Sequence, residues 1–166
     1  MRSVVTALLV LAADQAAKAW ALAHVAPHGS VPALPGLVRW TYVENRGAAF
    51  GLFQNQTTFF VVVAAIVIAV ILYWLPRVPG RAGGVRLALG LQLGGAVGNL
   101  VDRLRWGYVV DFVDLEFWPL HRWPVFNVAD AAIVTGTALL VLWLLRGAEP
   151  VAAQRPTRPP GGRGPR

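Results

Sequence analysis

Apolar residues in this chain come in long blocks. Between Thr57 and Leu75, 19 residues pass without a charge, rich in Val, Ile, Ala and Phe. As a helix that stretch is about 28 Å long, enough to cross the hydrocarbon core of a bilayer. Three more blocks follow the same logic with small interruptions. Residues 4–24 carry Asp14 and Lys18, residues 85–101 have Arg86 at their entry, and residues 128–145 have Asp130 near their start. The pattern predicts four transmembrane helices. Arg2, the apolar stretch after it and Ala21-Leu22-Ala23 also fit a cleaved signal peptide. An acid and a base inside the apolar stretch argue for a retained span. The connections 27–56 and 102–127 have a different rhythm. Leu37-Val38-Arg39-Trp40-Thr41-Tyr42-Val43 alternates ahead of an Asn45-Arg46-Gly47 turn, and Tyr108 to Val113 is β-branched and aromatic. Both read as strands. The expected fold is an all-α membrane protein, four transmembrane helices with a small extracytoplasmic β-rich cradle. One integral membrane domain over residues 1–146 is expected, followed by a disordered basic tail at 147–166.

Composition sharpens this picture. Hydrophobic residues make up 56% of the chain and charged residues 14%, against roughly a quarter charged in a soluble domain. A disordered chain is excluded, and an ordinary soluble enzyme is disfavoured. There is no cysteine, so a thiol nucleophile, a zinc–thiolate site and a disulfide framework are excluded. The formal net charge of +7 invites a nucleic-acid reading, but its distribution points elsewhere. Arg2, Arg77, Arg81, Arg86, Arg146, Arg155, Arg158, Arg163 and Arg166 fall on one side of the four spans. On the other side Arg39, Arg46, Arg103, Arg105 and Arg122 are matched by Glu44, Asp102, Asp111, Asp114 and Glu116. The excess places both termini in the cytoplasm and accounts for the basicity without nucleic acid. The Pro-, Gly- and Arg-rich tail lies near anionic lipid in this reading. Trp20, Trp40, Trp106, Trp118 and Trp123 fall near the outer boundary, as an aromatic belt would.

Candidate chemistry is narrow. Two serines, Ser3 and Ser30, and a single lysine, Lys18, supply a Ser–Lys dyad poorly. His24, His28 and His121 are scattered, which argues against a metal site. What remains is carboxylates and amides near one membrane face, where an ionisable group is costly and therefore a functional candidate. Asp111 and Asp130 are the strongest pair. They are separated by most of a connection, so only a fold-back through Trp118 and Trp123 brings them together. Two carboxylates in a dry site share a proton, the chemistry of aspartic proteases. Asn127 and Asp130 also read as a plain helix start, an N-cap with an acid in the first turn. Such a start favours the Asp130 anion, so Asp111 is expected to carry the shared proton. Gly90, Gly94, Gly98 and Gly95 form a packing stripe. Asn99, Asp102 and Arg103 continue that helix at its outer end, and Arg103 is placed to pair with an acid or a backbone carbonyl. Asp14 and Lys18, one helical turn apart, read as a buried structural ion pair, with Lys18 able to snorkel outward. Asn45 and Gly47 read as a turn or as a hold on a peptide backbone.

Five stretches together resemble one family, lipoprotein signal peptidase (signal peptidase II). They are Asp14-Gln15-Ala16-Ala17-Lys18, Asn45-Arg46-Gly47-Ala48-Ala49-Phe50-Gly51, Gly95 to Arg103, Gly107-Tyr108-Val109-Val110-Asp111-Phe112, and Phe126-Asn127-Val128-Ala129-Asp130. They stand in the family's order across residues 14–133. Ala17 departs from the usual Thr or Ser. The resemblance implies an intramembrane aspartic endopeptidase of the bacterial inner (cytoplasmic) membrane, acting on diacylglyceryl-modified prolipoproteins; separately, a monomer is expected. It implies cleavage just before the lipidated cysteine and inhibition by globomycin. By motif position, Asp111 and Asp130 are the catalytic dyad. Asn45, Gly47, Asn99, Asp102, Arg103 and Asn127 serve substrate binding, and Asp14 and Lys18 support the structure. No metal, organic cofactor or nucleic-acid partner is implied. Two rivals remain at this point. A small transporter would stagger its acids through the membrane, whereas these cluster at one end. An assembly module would use its acids only as caps and tolerate Asp111→Asn.

Overall fold

The computed structural model describes residues 2–47, 53, 55–79 and 82–147. Its order is α1 (Arg2–His24), β1 (Ser30–Leu34), β2 (Val38–Asn45), α2 (Thr57–Trp74), α3 (Gly83–Trp106), β3 (Val109–Leu115) and α4 (Val128–Gly147). All four helices are long and apolar enough to span a membrane. The three strands form an antiparallel sheet in the order β1-β2-β3. The protein is therefore a four-span helical membrane protein with a small sheet across one end of its helices. Ala48 to Gly51, the second half of one family motif, lie outside the described residues. So do Arg81 and the expected basic tail from residue 148 onward.

Helix α3 is the centre of the bundle, held between α1 and α4 with α2 on its flank. Glycine makes the close approach possible. A Cβ on Gly94 would come within 2.6 Å of the Ala7 carbonyl oxygen of α1, and one on Gly90 within 2.7 Å of the Ser3 carbonyl. On the opposite side, a Cβ on Gly136 of α4 would sit 2.7 Å from the Ala88 carbonyl of α3. Small residues thus let backbones meet where lipid supplies no hydrophobic drive for helix pairing. The expected 85–101 span is longer than its apolar run, ending at Trp106. Asp102 and Arg103 stopped the hydropathy signal, yet both belong to the helix because their partners lie inside the bundle. Gly107 closes it in the left-handed region (φ 79°), its N–H bonded to the Arg103 carbonyl at 3.1 Å, as a C-terminal glycine permits.

The sheet contains a strand that the alternation did not reveal. Ser30–Leu34 is short and carries Pro32, which masks the period-2 signal; it pairs with β2 through Val31 and Trp40. On β2, Val38 faces Leu115 of β3 and Asn45 faces Val109. Phe112 and Val110 from β3 pack on Ala21 and Val25 at the end of α1, which seats the sheet on the bundle. Beyond β3 the chain folds back. Val113 and Phe126 exchange both backbone hydrogen bonds, at 2.8 and 3.1 Å. That bridge delivers the start of α4 beside the middle of β3.

Candidate active site

The bridge between Val113 and Phe126 has a direct chemical consequence, because Asp111 precedes one partner by two residues and Asn127 follows the other. Asn127 Nδ2 donates to Asp111 Oδ1 at 2.7 Å. The Asn127 Oδ1 accepts from the Asp130 backbone N–H at 2.8 Å, the N-cap expected from the sequence. From β2, Asn45 Nδ2 reaches Asp111 Oδ2 at 2.9 Å while its Oδ1 accepts from the Gly47 N–H at 3.0 Å. The turn and the hold are thus one residue. From α3, Asn99 Nδ2 donates to Asp130 Oδ1 at 2.7 Å, and Asn127 Nδ2 also reaches Asn99 Oδ1 at 3.2 Å. The two carboxylates are joined by a bridge of two amides.

Asp111 and Asp130 both open onto a cavity of about 490 Å³ at the sheet end of the helices. Asn45, Gly47, Asn99 and Arg103 share its lining, while Leu120, Trp123 to Phe126 and Ala131, Ile133 and Val134 of α4 give it an apolar wall. Arg103 does not pair with an acid. Its guanidinium donates to the Gly47 carbonyl at 3.3 Å and the Asn99 carbonyl at 3.5 Å, above the Phe60 ring at 5.0 Å. Burial pushes the Asp111 carboxyl up to about 7, and the neighbouring Asp130 charge adds to the rise against the opposing pull of the Asn45 and Asn127 amides. Near neutral pH Asp111 is therefore divided between acid and anion.

Two residues assigned to substrate binding stand behind the cavity wall. Asn127 is fully buried and Asp102 nearly so, and neither lines the cavity. Asp102 accepts from the Lys18 ammonium at 2.7 Å, from Gln15 Nε2 at 3.0 Å and from the Val110 backbone N–H at 3.1 Å. Its oxygens are taken up by structure, so Asp102 and Asn127 brace the cavity from behind and do not line it. The buried Asp14–Lys18 ion pair is present at 2.9 Å, and Lys18 does not take the outward path open to it, because Asp102 at 2.7 Å also holds it inside the bundle with only 3% of its side chain exposed. Asp14 in turn accepts from the Ala129 backbone N–H at 2.9 Å. One ammonium thus bridges two carboxylates, of which one tethers the start of α4 and the other tethers β3. Gln15, which bonds Asp14, Asp102 and the Gly98 carbonyl, was not singled out from the sequence. A polar amide in an apolar span was the signal that could have found it. Among the described residues no group of His, Cys, Asp or Glu is arranged to hold a metal ion.

The same architecture recurs in known proteins. The family model for signal peptidase (SPase) II matches residues 6–146. A lipoprotein signal peptidase from Moorella thermoacetica is 49% identical over 84% of this chain and 89% of its own length. One of the same name from Symbiobacterium thermophilum is 43% identical over 87% and 95%. A solved bacterial membrane enzyme, determined by the in meso method at 2.3 Å resolution, superposes with a TM-score of 0.83 at 28% identity, covering 95% of this chain and 93% of that one. With its model matched across all four spans, and with relatives this similar over most of their length, the chain belongs to the signal peptidase II family.

Proposed function

We propose that this protein is an aspartic endopeptidase that removes the signal peptide from diacylglyceryl-modified prolipoproteins, cutting just before the lipidated cysteine. The observation that carries the reading is the opening of Asp111 and Asp130 onto one cavity, with a bridge of amides between them. In this reading the ionised carboxylate takes a proton from a water whose oxygen attacks the scissile carbonyl carbon. The protonated partner gives its proton to the carbonyl oxygen. The tetrahedral diol then collapses: one of its hydroxyls returns a proton to the carboxylate that had given one up, the C–N bond breaks, and the cysteine nitrogen leaves with the proton that the other carboxyl took from water, which resets the dyad. The signal peptide keeps the new carboxylate and the lipoprotein the new amino terminus. An Asp111 carboxyl poised near neutrality suits a group that must both hold and release a proton.

Arg103 and Asn45 border the position an extended peptide would take, the first with N–H groups free to turn toward a substrate carbonyl. A diacylglyceryl anchor would fix the cysteine at the membrane boundary and so supply positioning that a free peptide lacks. The peptidase unit spans residues 1–146, works as a monomer in the cytoplasmic membrane with both termini on the cytoplasmic side, and uses no cofactor or nucleic acid. The arginine distribution supports that orientation. Globomycin is expected to block the cavity.

The test is processing of a lipid-modified precursor by wild type, Asp111→Asn and Asp130→Asn at equal membrane abundance. Both variants are expected to lose cleavage by a factor of about 10² to 10⁴. Normal processing by either one ends the dyad mechanism.

A further inference from the structure

Lys18 is buried, charged and untouched by the proposed reaction, and its third contact is not with a carboxylate. Its ammonium also donates to Asn99 Oδ1 at 3.1 Å, and Asn99 Nδ2 donates to Asp130 Oδ1. We propose that Lys18 is a positioning residue, whose ammonium locks the Asn99 amide with its NH₂ turned toward Asp130. The inference rests on the dyad reading and deepens it.

The argument is one of hydrogen-bond polarity. A primary amide has one accepting end and one donating end of nearly the same shape, so its partners decide which way it faces. An ammonium can only donate. Lys18 therefore forces Oδ1 of Asn99 toward itself and the NH₂ toward Asp130. The reverse orientation would set N–H against ammonium on one side and oxygen against the Asp130 carboxylate on the other. Asn127 is fixed by the same device, since the Asp130 backbone N–H can only donate to its Oδ1. Its NH₂ has two hydrogens for three acceptors, Asp111, Asn99 and the Val110 carbonyl, whereas the Lys18 ammonium has one N–H for each of Asp14, Asp102 and Asn99 and carries a full charge. The other groups around Lys18 are Asp14 on its own helix and Asp102 on α3, with Gln15 bonding both. Asp130 is faced by Arg103 and Asn99 from α3, Lys18 and Asp14 from α1, and Asp111 from β3. A change that keeps the charge of the cluster removes the lock, and if Lys18 acted on Asp130 by its charge alone, the resulting shift in pH dependence would add in full to the shift caused by removing Asn99.

Lys18→Met/Asp102→Asn is such a change, removing one positive and one negative charge together. Cleavage of a lipid-modified precursor in mixed micelles is followed across pH as kcat and KM, with thermal unfolding in detergent to confirm folding. The expected result is an acidic limb of the kcat profile moved upward by roughly one pH unit, with kcat at neutral pH down about tenfold and KM little changed. Asn99→Leu, which leaves the ion cluster intact, moves the same limb the same way. A folded variant of either kind with its limb at the wild-type position overturns the proposal. If the double variant does not fold, Asn99→Leu decides alone, a moved limb supporting the lock and an unmoved one overturning it. Failure of the dyad reading is read separately, from cleavage by Asp111→Asn or Asp130→Asn.

Discussion

The ion pairs inside the bundle and those on the sheet contain the same kinds of group and do different work. Inside, Lys18, Asp14 and Asp102 are almost wholly sealed, and their spare oxygens take backbone N–H groups from α4 and β3. Outside, Arg39 meets Glu116 at 2.7 Å and Arg46 meets Glu44 at 2.8 Å, all of them substantially exposed. The outer pairs join residues already held by strand register or by two residues of chain. The inner cluster joins elements that nothing local connects. Charge at membrane depth is tolerated here because the two acids are paired with Lys18 and their remaining bonds fix α4 and β3, the elements that carry the site carboxylates.

Unequal consequences are expected from breaking the two groups. Lys18→Met leaves two buried carboxylates uncompensated and is expected to cost about 3–5 kcal/mol, read as a large loss of thermal stability in detergent. A loss below about 1 kcal/mol would place the inner cluster with the outer pairs. Asp111 comes next, because its carboxyl stands at the seam between the two regions. Its acid form is favoured in the folded state, raised to about 7 from an ordinary 3.8. The stability it contributes is thus full below the unfolded value and is lost as pH climbs through the folded one. The melting temperature of wild type should fall between pH 4 and pH 8 by more than that of Asp111→Asn. Equal falls would mean that burial of this carboxyl costs the fold nothing. Gly94→Ala tests the approach of α1 that lets the cluster close. The new Cβ meets the Ala7 backbone oxygen and Val10 Cβ at 2.7 Å, and overpacking of this kind costs about 1–3 kcal/mol. Smallest of all, Arg39→Ala and Arg46→Ala are expected to change stability by less than about 1 kcal/mol, as measured by the same melts.

The sequence revealed the parts of the site better than their connections. Four spans were legible because lipid demands long apolar runs, and the strands 38–45 and 109–115 because their residues alternate or branch at Cβ. β1 was hidden by Pro32 and its short length. Asp111 and Asp130 stood out as acids near a membrane face, and Asn127 as a cap. That Asn127 and Asp102 are walled off from the cavity was not legible, since a motif gives a residue's neighbours in sequence and not the side on which it faces solvent. Lys18 was legible as the buried partner of Asp14, but its choice between water and a second acid was not. A long cation in a span has two ways to lower its energy, reaching water or meeting acids. The second acid, Asp102, comes from a helix 81 to 87 residues further along the chain from the residues it meets there. Gln15 was passed over because an amide carries no charge to draw attention.

The tie between Asp14 and the Ala129 backbone N–H spans 115 positions of sequence. The ribosome makes the acceptor in the first span and the donor at the start of the fourth, so a nascent chain with three helices in the membrane still lacks the group that completes its earliest carboxylate. No shortened product ending before residue 129 can hold the finished cavity.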